Sequence, residues 1–241
     1  MKKIIMLGLA LTLAIVLAAC GDDNAEGDKK KDEQTQEEGN TSKEGQEQQV
    51  KVTDKEKVEE GTAVASVNGD EIKGERYNPI YTQLKTQMAQ YGQDVSDLDK
   101  LKEQTINVLV EQHLIRQDAA SKGIKVSDKE VQSEFDSLKE ENGDQLTAVL
   151  EQFNLTEDQF KRQLEDDLIT TKYIDSQLEV KVTDKEVEEY YNQLKEQNEE
   201  IGKLKDLKDQ IKNQIKQQKT NEQLQKKVDK LKKDAKVETL I

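Results

Sequence analysis

Few side chains in this sequence could do covalent or proton-transfer chemistry. The 241-residue chain has one histidine, His113, and one cysteine, Cys20. A metal site needs several converging imidazole, thiolate or carboxylate ligands, and no His/Cys cluster supplies them. A Ser-His-Asp relay would have to use His113, and no nucleophile motif accompanies it. Asp166-Asp167 and Glu140-Glu141 are adjacent pairs. Neighbours in a helix point in different directions, so both pairs read as solvated charge. No glycine-rich loop could cradle a phosphate. The expectation is a chain with no catalytic residue, no metal and no cofactor. His113 belongs on a helix surface or at a core edge.

Cys20 has a different chemistry. Lys2 and Lys3 precede an apolar run from Ile4 to Leu17. That run is too short to cross a bilayer comfortably and reads as a secretory signal. Leu17-Ala18-Ala19-Cys20 resembles the bacterial lipoprotein lipobox. The resemblance implies cleavage between Ala19 and Cys20, a diacylglyceryl thioether on the Cys20 sulfur, and acylation of the new amino terminus with a fatty acid such as palmitate. Two or more acyl chains make a stable anchor where one gives marginal binding. The expected location is the extracytoplasmic face of a bacterial cell membrane, with no disulfide within the chain.

Charge is unevenly spread. Residues 21–60 carry 7 basic and 14 acidic groups, and residues 61–202 carry 16 and 31. Residues 203–236 reverse the sign, with 12 basic and 5 acidic. An acidic body and a basic helix with its own apolar positions predict that the helix docks back on the body. The alternative is a basic tail for anionic lipid head groups. Nucleic acid is not favoured as a partner, because no aromatic stacking surface joins the basic residues. Residues 20–61 read as a disordered acidic tether: between Gly21 and Val50 only Ala25 and Val50 are apolar, too little to offset the ordering entropy. Forty flexible residues span about 35 Å. The expected organisation is a signal over 1–19, a tether over 20–61 and one folded domain over 62–241.

The fold class expected is mostly helical, with a small antiparallel sheet joining the two ends of the domain. Ala63–Val67 reads as a strand, Asn68-Gly69 as a hairpin turn, and Glu71-Ile72 as the return. A lone hairpin wants a third strand, and Val237–Ile241 is the remaining strand-like stretch. Tyr77, Ile80, Tyr81, Leu84, Met88 and Tyr91 recur at helical spacing, with Pro79 in the first turn or at a kink. Leu98–Ser121 is apolar nearly all round and reads as the central buried helix, ended by Gly123 in the left-handed conformation. Ser127 with Glu130, Thr156 with Gln159, and Thr183 with Glu186 are capping boxes that start three more helices. The last helix changes face. Leu204, Leu207, Ile211 and Ile215 form one stripe, and Leu224, Val228, Leu231 and Ala235 form another on the opposite side. Either the helix breaks near Thr220-Asn221 or it meets different partners at its two ends.

Several of these segments together resemble the amino-terminal chaperone domain of the SurA/PrsA family of extracytoplasmic foldases. They are Val64-Ala65-Ser66-Val67-Asn68-Gly69-Asp70-Glu71-Ile72, the Leu109–Gly123 helix, Ile124-Lys125-Val126-Ser127-Asp128-Lys129-Glu130-Val131, and the closing Lys219–Ile241. The resemblance covers roughly residues 62–241. It implies binding of unfolded or nascent exported polypeptides. Fuller family members carry a parvulin prolyl-isomerase domain between the penultimate and closing helices. Here the helix ending near Glu199 is followed almost at once by Lys203–Leu207, which leaves no room for a domain on the order of 100 residues. The resemblance therefore implies a chaperone without isomerase activity. A residual isomerase, or an adaptor with one dedicated folded partner, is the alternative.

Candidate client-binding residues are Tyr77, Tyr81, Met88 and Tyr91 on the tyrosine-rich face, then Tyr190, Tyr191, Leu207 and Ile211. Tyrosine and methionine suit adaptable contact with varied apolar segments. The same residues can instead be ordinary core. The Leu204–Ile215 stripe can also serve as a homodimer face.

Overall fold

The computed structural model describes residues 51–198 and 200–241. The signal, Ala19, Cys20 and the first thirty or so residues of the expected tether lie outside the described residues. Six helices and three strands follow in the order β1 (Ala63–Val67), β2 (Asp70–Lys73), α1 (Gly74–Gln90), α2 (Leu98–Ser121), α3 (Asp128–Gln152), α4 (Glu157–Gln177), α5 (Asp184–Gln197), α6 (Leu204–Asp234) and β3 (Val237–Thr239).

The sheet order is β2-β1-β3, so β1 is central and pairs antiparallel with both neighbours. Asn68 and Gly69 take φ of 55° and 93°, the mirror-image turn geometry that matches strand twist. Asn68 also fastens the far end of the chain. Its amide donates to the Lys236 carbonyl at 2.8 Å, and its side-chain oxygen accepts from the Lys236 amide at 3.0 Å. The strand pairing expected between the two ends of the domain is therefore present, and a turn residue clamps it.

All three capping boxes form, with the threonine or serine oxygen and the glutamate or glutamine side chain each satisfying the other residue's amide. Gly123, at φ 75°, ends α2, and Ile124 donates back to the Ala119 carbonyl. Pro79 lies inside α1 rather than in its first turn. A bend at Gly143, with φ 38° and ψ −109°, divides α3 and had no counterpart in the sequence reading.

Helix α6 does not break at Thr220-Asn221. Its two stripes meet different partners. Ile211 and Ile215 form a cluster with Val187 of α5, edged by Leu204, Leu207, Tyr190 and Tyr191. Val228 packs with Ile115 and Ala119 of α2 and Ile169 and Tyr173 of α4, with Leu224 against them. A third cluster, separate from both, joins Phe135, Leu138 and Leu146 of α3 to Leu155 and Phe160. These three clusters add to the buried residues of the sheet, α1 and α2, among them Val64, Val67, Ile72, Tyr77, Leu101 and Val110. The basic helix docks on the acidic body as its charge suggested: Lys227 lies 3.4 Å from Asp118, and Lys232 lies 3.9 Å from Glu111.

Residues 51–61 correct the tether boundary. They are ordered against α1. Glu56 is buried, and Val58 exchanges two hydrogen bonds with the Asn78 side chain, at 2.9 and 2.7 Å. Thr53–Glu56 forms a single turn, in which the Thr53 amide donates to the Glu56 carboxylate at 2.8 Å. What periodicity could not show is that Glu56 has partners on α1.

Candidate client-binding surfaces

The tyrosine-rich face of α1 is not open. Tyr77, Tyr81 and Met88 are at most 7% exposed. The rings of Tyr77 and Tyr81 stand 5.5 Å apart, and α1 packs its length against α2. Tyr81 donates to the Glu56 carboxylate at 3.0 Å. Burial raises the Tyr77 hydroxyl to about 12, and the nearby Glu56 charge pushes the same way. These are core residues. Their helical spacing was read correctly, but that spacing cannot say whether another element covers the face. Tyr91 ends the same helix and is 75% exposed. Leu98, which opens α2 on the other side of the short connection, is exposed too.

On the hairpin of α5 and α6 the candidates divide again. Ile211 is buried, which corrects its reading as a contact residue. Tyr190, Tyr191 and Leu207 are half-buried at the rim of the same cluster. The Tyr191 hydroxyl donates to the Gly202 carbonyl at 3.0 Å, closing the turn between the helices. Leu240 and Ile241, after β3, are exposed apolar residues that the sequence reading had used only as strand. The structure brings Tyr190, Tyr191 and Leu207 together, and leaves Tyr91 apart from them on another element.

The charged junction under the hairpin was missed. Asp166 accepts from Arg76 of α1 at 2.5 Å and from Arg116 of α2 at 2.7 Å, while Arg116 also reaches Glu165 at 2.6 Å. Asp166 is therefore a bridging anion, not solvated charge. His113 sits beside it at the core edge. Its Nε2 lies 3.6 Å from Asp70, and burial holds its pKa below the usual value against the pull of that carboxylate. Together with Ile72, Leu109 and Gln112 these side chains line a small polar recess. The arginines spend their donors on carboxylates, so the recess joins three helices to the hairpin and offers little to an apolar client. Among the described residues no group of three His, Cys, Asp or Glu side chains could hold a metal. No helix among them is long and apolar enough to cross a membrane.

The model of the SurA-like N-terminal domain matches residues 41–174, more than half of the chain. The chain belongs to the SurA-like N-terminal domain family. The match runs from ahead of Glu56 through β1, β2 and α1–α3 into α4, so the junction at Asp166 lies inside the family domain. Foldase protein PrsA of Caldanaerobacter subterraneus is 32% identical over 158 residues, covering 61% of this chain and 47% of the relative. The Clostridium perfringens protein of the same name is 31% identical over 152 residues, covering 56% and 44%. Foldase protein PrsA 2 of Listeria innocua is 42% identical over 67 residues, covering 28% and 22%. The chain spans about half the length, or less, of the relatives it matches.

Proposed function

We propose that this protein is a lipid-anchored extracytoplasmic chaperone that holds unfolded exported polypeptides and does not isomerise prolyl bonds. Membership of the SurA-like N-terminal domain family, with relatives named foldases, carries the reading. The arrangement of the helices supports it. The cluster between α5 and α6 leaves a half-buried rim at Tyr190, Tyr191 and Leu207, and α1 ends in an exposed ring at Tyr91. Such rims can accept apolar segments of varied sequence without a fitted pocket. The direct passage from α5 at Gln197 to α6 at Leu204 supports the lack of an isomerase domain at that point. The lipobox at Cys20 supports the anchor.

The acidic body would attract basic unfolded segments. The test is light scattering from a refolding client with and without the soluble chain from Gly21, at matched concentrations. Suppression near stoichiometry is expected, together with background rates in a proline-peptide isomerisation assay. A folded chain that leaves aggregation unchanged would overturn the holding role. Catalysis above background would overturn the non-enzymatic one.

A further inference from the structure

One side of α6 carries a lysine row that the docking of that helix mostly leaves free. Lys205, Lys212, Lys216, Lys219, Lys226, Lys230 and Lys233 are spaced at 7, 4, 3, 7, 4 and 3 residues. These intervals keep a side chain on one side of a helix turning about 100° per residue. Lys219 is taken by Glu186, and Lys208, on the same side, by Asp184. The other six of the row are exposed, and among the described residues none pairs with a carboxylate within 4.0 Å. Asp209 and Glu222 stand at its two margins, and Asp234 stands at its end. The lysines that dock the helix, Lys227 and Lys232, lie to the side of it. At 1.5 Å per residue the row from Lys205 to Lys233 is about 42 Å long.

We propose that this row is an electrostatic contact with an anionic lipid surface, additional to any lipid on Cys20. The choice of a lipid surface rests on the anchored reading above: the roughly thirty residues from Cys20 to Val50 would, as a flexible chain, span about 30 Å, which keeps the domain within reach of head groups. Charge selects the face. The body, with 16 basic and 31 acidic residues over 61–202, is repelled by an anionic bilayer, whereas α6 presents cations along its whole length. The two readings of the basic segment, docking helix and lipid-facing helix, then describe different sides of one helix: the row lies opposite the Leu224–Ala235 stripe and beside the Leu204–Ile215 one.

The test is lysine acylation footprinting on the full chain carrying Cys20→Ser, so that the result does not depend on lipidation. The chain is mixed with vesicles of phosphatidylcholine alone or phosphatidylcholine with phosphatidylglycerol. Each basic residue near an anionic surface contributes about fivefold in binding. Reactivity at Lys205, Lys212, Lys216, Lys226, Lys230 and Lys233 should fall severalfold on the anionic vesicles only, and return at high salt. Exposed Lys100 and Lys129 should stay reactive. The triple variant Lys212→Glu, Lys226→Glu, Lys230→Glu should fold normally and lose protection at Lys205, Lys216 and Lys233. Equal reactivity on both vesicle types would overturn the proposal. So would protection that needs no vesicles and grows with protein concentration, which would assign the row to a second copy. Failure of the native chain to remain on neutral vesicles would count against the Cys20 anchor alone.

Discussion

The Lys85 ammonium meets the Glu56 carboxylate inside the protein, with the two side chains 9% and 3% exposed. Burial disfavours the charged carboxylate, but Lys85, the Thr53 amide and hydroxyl, and the Tyr81 hydroxyl outweigh it and hold Glu56 at about 2, against an ordinary 4.5. Lys85 also donates to the Lys51 carbonyl at 3.1 Å. This pair fastens the segment before the sheet to α1.

Glu56→Gln should therefore destabilise the protein by on the order of 3 kcal/mol, because it leaves a buried ammonium without its counter-charge. Adding Lys85→Met should restore part of the loss. The pH dependence has a defined sign. A carboxyl whose folded pKa is depressed stabilises above its unfolded pKa and loses that contribution as pH falls toward the folded one. Native stability relative to Glu56→Gln should decline from about pH 5 to about pH 2. Urea unfolding at a series of pH values measures it, and a difference independent of pH would refute the assignment.

Gly74 predicts a steric effect. A Cβ there would come 2.2 Å from the Glu59 carbonyl oxygen, because the Gly74 amide donates to Thr62 at 2.9 Å and holds the two backbones together. Gly74→Ala must push residues 59–62 away, at a cost of about 1–3 kcal/mol. Faster trypsin cleavage at Lys55 and Lys57 is expected, with helical content retained. Unchanged cleavage would show that the approach is not tight.

Much of the architecture was legible because it is local. Asn68-Gly69 specifies its turn by backbone conformation, and each capping box lies within four residues. The stripe change in α6 was legible as a pair of alternatives, since a pattern shows which faces are apolar but not what covers them. The same limit explains the candidate residues. Tyr77, Tyr81 and Met88 have the spacing of a buried face and of a binding face alike, and only the elements packed on α1, α2 and the segment at Glu56 among them, distinguish the two. Asp166 could not be read at all: its arginines come from 90 and 50 residues away, and its neighbour Asp167 is exposed.

Asp166 should matter to stability and not to client capture. Asp166→Asn removes the shared anion from Arg76 and Arg116, while Glu165 remains for Arg116. The junction is partly solvated, so the expected loss is about 1–3 kcal/mol. Arg116→Lys should not be neutral, since an ammonium cannot reach two carboxylates with a planar fork. A lower urea midpoint with unchanged slope is the signature.

The two halves of α6 should unfold differently. Ile211→Asp buries a carboxylate between α5 and α6 alone, so hydrogen exchange should accelerate across Asp184–Gln197 and the first half of α6 while the sheet stays protected. Val228→Asp places the charge against α2 and α4, and should lower protection throughout. If Ile211→Asp abolished protection in the sheet as well, α5 and α6 would not be a separable hairpin.

The tyrosines give the sharpest division between core and contact. Tyr91→Ala removes an exposed ring, so stability should move by no more than about 0.5 kcal/mol, while client capture weakens. Tyr81→Phe keeps the buried ring and removes the bond to Glu56, so stability should fall by about 1 kcal/mol with capture unchanged. Binding of a fluorescent denatured client to both variants, beside their urea midpoints, separates the effects. If Tyr81→Phe weakened capture while Tyr91→Ala did not, the client would depend on the order of the α1 core, and the exposed rim would have to be given up as the contact.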